Sequence, residues 1–180
     1  KNHKKFIITV IGGSQGSSSL ADKVSTGIIK FSKKINLELL VYHQCRIEDV
    51  ELLKNNYHDS NIQNEVSSYF NDMPKKIFES NVVISRSGSS TVNEIIYANK
   101  PSILIPFPFA IDNHQFHNAN ILKQISCTKI IKNSDLSSDL ILNDLLGFYN
   151  NPDKVDRIKK KLSEITQENT AERILDLIRN

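Results

Sequence analysis

Residues 82–118 read VVISRSGSSTVNEIIYANKPSILIPFPFAIDNHQFHN, and this stretch constrains the fold more than any other. An apolar run ends at Ser85, and a Ser/Gly-rich turn and a short helical pattern carrying Glu94 follow. A second apolar run, Ser102 to Ile105, then delivers a polar loop ending in Asp112, Asn113, His114 and Gln115. Two strands joined through a helix are parallel, and both here present polar groups at their carboxyl ends. In an open α/β sheet that edge is where ligands bind.

The rest of the chain repeats the alternation. Phe6 to Ile11 is a β-rich run that stops at Gly12-Gly13-Ser14-Gln15-Gly16, and Leu20, Val24, Ile28 and Phe31 then recur along one helical face. Leu37 to Tyr42 reads as a second buried strand ending in His43 and Gln44, and Arg46 to Asn56 as a helix. A short strand is expected near Val66 to Phe70, and Asp72-Met73-Pro74 opens another helix with proline in its first turn. Thr128 to Ile131 reads as the last strand, followed by helices over Leu140 to Phe148, Asp153 to Ile165 and Ala171 to Ile178. Short apolar strands alternating with helices predict an α/β fold with a parallel sheet covered on both faces.

Composition narrows the function classes. A length of 180 residues supports one domain or one half of a two-domain enzyme. A net charge of +3, with acidic residues interspersed among lysines, lacks the concentrated basic face expected of a nucleic-acid-binding protein. The two cysteines, Cys45 and Cys127, lie far apart in apolar contexts, which favours buried thiols in a reducing compartment over a disulfide scaffold. No apolar run approaches the roughly 18 residues of a membrane span. The start, KNHKKF, carries no signal-peptide apolar region, so a cytosolic location is expected, with peripheral membrane contact left open.

A glycine-rich strand-to-helix turn aims backbone amides and a helix N-terminus at one point, which suits a phosphate. The alternative at Gly12-Gly13 is a simple tight turn. Ile11 occupies the place where a dinucleotide fingerprint requires glycine, the second strand ends in His43 and Gln44 rather than a ribose-binding acid, and no lysine follows Gly16. A phosphate corner of neither the NAD nor the P-loop type points to other nucleotides, nucleotide sugars among them.

Ser87-Gly88-Ser89-Ser90-Thr91 forms a second candidate phosphate or ribose corner. Two readings of Glu94 stand: reciprocal capping with Thr91 at the helix start, or a carboxylate accepting both hydroxyls of a ribose. Arg86 is available to a phosphate or an acid. Ser87 lacks the flanking glycines of a nucleophile elbow. In the polar loop, amide and imidazole groups donate and accept together, as sugar hydroxyls require. The simpler reading is an Asp112 cap followed by solvated residues. His114 and His117 with one nearby acid do not complete a metal-ligand set, and neither metal nor cofactor is expected.

Taken together, GGSQGS at Gly12 to Ser17, YHQ at Tyr42 to Gln44, YFNDM at Tyr69 to Met73, RSGSSTVNE at Arg86 to Glu94 and PFPFAIDNHQFHNA at Pro106 to Ala119 resemble the C-terminal, donor-binding half of the MurG family. That family comprises the bacterial UDP-N-acetylglucosamine:undecaprenyl-diphospho-muramoylpentapeptide N-acetylglucosaminyltransferases of peptidoglycan synthesis. The resemblance covers nearly the whole chain. It implies one Rossmann-like half of a GT-B glycosyltransferase, which moves GlcNAc from UDP-GlcNAc to lipid I with inversion and without a tightly held metal. By the same resemblance Gly13, Ser14 and Gln15 approach the diphosphate, and Phe70 and Met73 flank the uracil, with main-chain groups at Phe70 reading its edge. Ser90 and Thr91 meet the phosphates, Glu94 the ribose hydroxyls, and His114 and Gln115 the sugar hydroxyls, while Arg86 shapes the base or phosphate side.

His114 stands where the family often has glutamine, and Ser17 where a small residue is usual. Members of the family begin with an N-terminal domain bearing its own glycine-rich loop and a histidine proposed as general base, and neither is found in this sequence. The expectation is therefore a donor-binding domain spanning residues 1–180, with no catalytic base of its own. The lipid I acceptor would be reached only through the missing domain, at the cytoplasmic face of the inner membrane. Ile174, Leu175 and Ile178 would pack either on that absent domain or on this sheet. Two further readings stay open: a non-catalytic nucleotide-sugar-binding subunit completed by a partner chain, and a GT-B-like UDP-GlcNAc epimerase.

Overall fold

The computed structural model describes residues 5–12, 18–108, 114–124 and 126–179, with side chains as far as residue 167. Six strands form one parallel sheet in the order β3-β2-β1-β4-β5-β6. They are β1 (Phe6–Ile11), β2 (Leu39–Gln44), β3 (Gln63–Ser67), β4 (Val82–Ser85), β5 (Ser102–Leu104) and β6 (Thr128–Ile130). The helices are α1 (Ser18–Ser32), α2 (Val50–Asp59), α3 (Met73–Glu79), α4 (Ser89–Tyr97), α5 (His114–Gln124), α6 (Ser138–Tyr149) and α7 (Pro152–Arg179). Every residue of β4 and β5 is buried, as expected where helices cover both faces of a sheet. Helix α1 packs against α2 and α6, and α4 packs against α3, α5 and α7.

Phe6, Phe31 and Tyr149 interlock at the amino end of the sheet, with ring centroids 5.4 to 5.8 Å apart, and join β1 to α1 and α6. Gly27 lets α1 and α6 approach closely: a Cβ there would lie 2.6 Å from Ile141 Cβ and 2.8 Å from the Ser138 carbonyl. Ile158 and Leu162 of α7 are buried in this chain's own core, which settles where the first half of that helix packs. Ile174, Leu175 and Ile178 have side chains outside the described residues. Cys45 and Cys127 are buried and neither forms a disulfide.

Four expectations change. The third strand is Gln63–Ser67, which overlaps the Val66 to Phe70 stretch at Val66 and Ser67 but starts three residues earlier, because its register against β2 runs from Leu40↔Gln63 to Gln44↔Ser67. As an edge strand with three of its residues half-buried or buried and two exposed, it tolerates Gln, Asn and Glu, so no apolar run marks it. Asp153 to Ile165 and Ala171 to Ile178 belong to one helix, since the intervening Thr-Gln-Glu-Asn-Thr contains neither proline nor glycine. The helix expected from Arg46 begins as a single 3-10 turn at Ile47–Asp49 before α2. Thr91 and Glu94 do not form a capping box, because α4 starts at Ser89 with Gly88 at the cap, which places Thr91 at its third position.

Candidate functional site

The strand order reverses between β1 and β4, the chain building outward to β3 before returning to the other side of β1. At such a reversal the connections leave in opposite directions and open a crevice at the carboxyl ends. Ile11 pairs with Ser85 across this point, the Arg86 N–H donates to the Ile11 carbonyl at 3.2 Å, and the Gly12 N–H donates to the Gln44 carbonyl at 3.0 Å. A Cβ at Gly12 would lie 3.0 Å from that same carbonyl, so the close approach of β1 and β2 favours glycine. The strand ends that enter the two turns singled out in the sequence thus lie side by side. Gly13, Ser14 and Gln15 lie outside the described residues.

On the β4 side, the first backbone bond into α4 runs from the Val92 N–H to the Gly88 carbonyl at 3.0 Å. The N–H groups of Ser89, Ser90 and Thr91 therefore precede the helical ladder, the position from which a helix start binds an anion. Ser90 is exposed and Thr91 half-buried at this helix start. Glu94, half-buried a further turn along, makes no side-chain hydrogen bond or ion pair with a described residue.

The polar loop joins the same edge through Ser87. Its fully buried Oγ donates to the Gln115 carbonyl at 2.7 Å, and Asn118 Nδ2 donates to the Ser87 carbonyl at 3.1 Å. Helix α5 begins at His114, which is exposed, while Gln115 is half-buried and its Oε1 accepts the Phe107 N–H at 3.0 Å. Arg86 fastens the floor of the loop. Its Nη1 donates to the Ile105 carbonyl at 3.0 Å, the Pro106 carbonyl at 3.3 Å and Asn133 Oδ1 at 3.0 Å, and its guanidinium lies 5.5 Å from the Phe107 ring centre. Burial lowers its pKa without an acid partner among these contacts.

Across the sheet, Ser67 Oγ donates to the Tyr69 carbonyl at 2.8 Å and Gln44 Nε2 donates to the Ser68 carbonyl at 3.2 Å, which turns the chain past the end of β3. Phe70 is half-buried, and Met73, the first residue of α3, packs partly against the core. Beneath them lies a lysine that sequence reasoning missed. The Lys76 side chain is 7% exposed, with Nζ 2.7 Å from Glu65 Oε2, 3.6 Å from Asp72 Oδ2, 4.0 Å from the Tyr42 ring centre and 4.9 Å from the Phe70 ring centre. Burial pulls its pKa down, but Glu65, Asp72 and Tyr42 together hold it above the usual lysine value. The four-residue spacing of Lys76 from Asp72, at the cap of α3, was the available signal. Nothing local in the sequence announces the pairing of Ser87 with Gln115.

Residues 7–177 match the model of the glycosyltransferase family 28 C-terminal domain. A Rickettsia akari protein called UDP-N-acetylglucosamine--N-acetylmuramyl-(pentapeptide) pyrophosphoryl-undecaprenol N-acetylglucosamine transferase is 34% identical over 163 residues, covering 90% of this chain and 43% of its own length. The protein of the same name from Caulobacter vibrioides (strain NA1000 / CB15N) is 30% identical over 171 residues, covering 95% of this chain and 47% of its own. The chain thus spans less than half the length of these curated relatives. The crystal structure of Acinetobacter baumannii MurG superposes with a TM-score of 0.77 at 26% identity, over 99% of this chain and 51% of that one. A match over nearly the whole sequence, on the parallel sheet that the residues predict, shows that this chain belongs to the glycosyltransferase family 28 C-terminal domains.

Proposed function

We propose that this chain is the donor-binding half of an inverting transferase that moves GlcNAc from UDP-GlcNAc to lipid I, an N-acetylmuramyl-(pentapeptide) pyrophosphoryl-undecaprenol, giving lipid II. The observation that carries the reading is the adjacency of the carboxyl ends of β1 and β4 at the reversal of strand order, with Glu94 one turn into the helix after β4 and α5 tied alongside through Ser87. In this reading the amides of Ser89, Ser90 and Thr91 face the diphosphate, whose negative charge grows as the bond to the anomeric carbon breaks. Fixed dipoles aimed at developing charge are an effective source of rate enhancement. Gly13, Ser14 and Gln15 approach the same diphosphate from the first turn. Glu94 accepts from the ribose hydroxyls, Phe70 and Met73 flank the uracil, His114 and Gln115 hold the sugar, and Arg86 keeps the floor of the loop in place.

An acceptor hydroxyl must lose a proton as it attacks, and the residues gathered here supply phosphate, ribose and sugar contacts rather than a base. The base and the acceptor site are assigned to the part of the relatives' length that this chain does not span, along with any contact with the membrane surface. Among the described residues no helix is long and apolar enough to cross a membrane. Calorimetric titration with UDP-GlcNAc, UDP and ADP tests the reading. Uridine ligands are expected to bind at least tenfold more tightly than ADP, with no sugar released. Equal affinity for the three would overturn the donor site, and release of an altered sugar would favour the epimerase.

A further inference from the structure

We infer that Lys76 is a positioning residue for the base-side loop, residues 68–72: it clamps the Phe70 ring and the turn after β3 against the sheet, and so sets the preference for uracil. The ligand in this inference rests on the donor-site reading above, whereas the clamp is visible in the fold itself. Lys76 gathers groups from separate elements, Tyr42 from β2, Glu65 from β3, and Phe70 and Asp72 from the loop that enters α3.

Burying an ammonium is unfavourable unless it is paired, and at 7% exposure Lys76 depends on these partners. The dependence is not mutual. Glu65 is 54% and Asp72 51% exposed, so both stay hydrated without the lysine. Core packing does not hold the loop firmly either. Tyr69 is 68% exposed, and Phe70 is one wall of an open cavity of about 510 Å³ shared with Lys54, His58, Glu65 and Val66. An ammonium under the Phe70 ring at 4.9 Å, itself pinned by two carboxylates, gives that ring a fixed height above β2. A base stacked beside Phe70 and read by its main chain meets a surface set by the lysine, although Lys76 need not touch the ligand.

The test compares Lys76→Met, which keeps length and removes charge, with Lys76→Arg, which keeps charge, in the full chain. Amide hydrogen exchange and calorimetry with UDP and ADP are the readouts. In Lys76→Met, exchange in residues 68–72 is expected to rise at least tenfold with β1 and β4 unchanged, and the preference for UDP over ADP to fall at least tenfold, with Lys76→Arg restoring most of both. Glu65→Gln, at a half-exposed position, should give the same local signature more weakly, and it keeps the inference testable if Lys76→Met fails to fold. Unchanged exchange in 68–72 overturns the clamp, and a uniform rise across the sheet overturns a positioning role. If exchange rises locally but the unaltered protein binds UDP and ADP alike, the clamp is supported and the uracil claim falls with the donor-site reading.

Discussion

The Ser87 hydroxyl and the Gln115 carbonyl, 28 residues apart and 2.7 Å from each other, tie the turn after β4 to the first turn of α5. The bond is fully buried at Ser87. It makes two segments that each had an ordinary local explanation into adjoining walls of one crevice. Ser87→Ala removes the donor, while Asn118 still reaches the Ser87 carbonyl. The expected cost is about 1 kcal/mol of stability. Because α5 is assigned the sugar, UDP-GlcNAc affinity should fall several-fold while UDP affinity holds, a split that calorimetry on both ligands reads directly.

Two glycines give opposite expectations for the same substitution. Gly27→Ala puts a Cβ 2.6 Å from Ile141 Cβ and 2.8 Å from a backbone carbonyl, so α1 and α6 must separate. Overpacking of this kind costs about 1–3 kcal/mol. Gly147, inside α6, has nothing within 4 Å of the added atom. There Gly147→Ala should stabilise by about 0.5–1 kcal/mol through helix propensity. Thermal unfolding followed by circular dichroism would show a lowered midpoint for the first variant and a raised one for the second.

Apolar runs such as FIITVI and VVIS made β1 and β4 legible because a strand covered on both faces has few solvent-facing positions to interrupt the run with charged or amide side chains. Edge strand β3 was misplaced because QNEVS carries no such pattern, and only its register with β2 identifies it. The two turns could be seen in sequence, but that they leave adjacent strands follows from the β1–β4 neighbourhood, a long-range pairing no local signal encodes. Thr91 and Glu94 had the spacing of a capping box, and a helix capped three residues earlier, at Gly88, gave them other positions. Lys76 resembled any surface lysine until β2, β3 and the loop into α3 closed around it.

His43 ends β2 at the site edge in sequence, yet it is fully buried, with Nδ1 2.9 Å from the Tyr57 hydroxyl of α2, and burial drops its pKa to about 3. An unfolded histidine takes up its proton near pH 6.5. Between these values the unfolded chain binds more protons, so this contribution to stability is complete above about pH 6.5 and is lost as pH falls towards 3. The slope is at most about 1.4 kcal/mol per pH unit. Urea unfolding at pH 7.5 and pH 5 should show the protein losing up to about 2 kcal/mol more than His43→Gln, which cannot titrate. Parallel losses in the two proteins would place the acid sensitivity elsewhere.

Glu94 carries the most discriminating prediction, because its side chain is spoken for by no described residue. A half-buried carboxylate with no partner among the described residues contributes little to stability through them, so Glu94→Ala should shift unfolding by no more than about 0.5 kcal/mol. If its two oxygens receive the ribose hydroxyls, removing them costs about 1.5–3 kcal/mol of uridine-nucleotide binding, or about tenfold to a hundredfold in affinity. Loss of affinity alone would not locate the contact, since removing a negative charge beside a diphosphate also strengthens phosphate binding and masks part of the effect. The 2′-deoxy analogue of UDP separates the two terms. The unaltered protein should bind UDP more tightly than 2′-deoxy-UDP, while Glu94→Ala should bind them equally, because the phosphate term is common to both ligands and cancels in the ratio. A ratio left unchanged by the substitution would remove the ribose from Glu94 whatever happened to the absolute affinities.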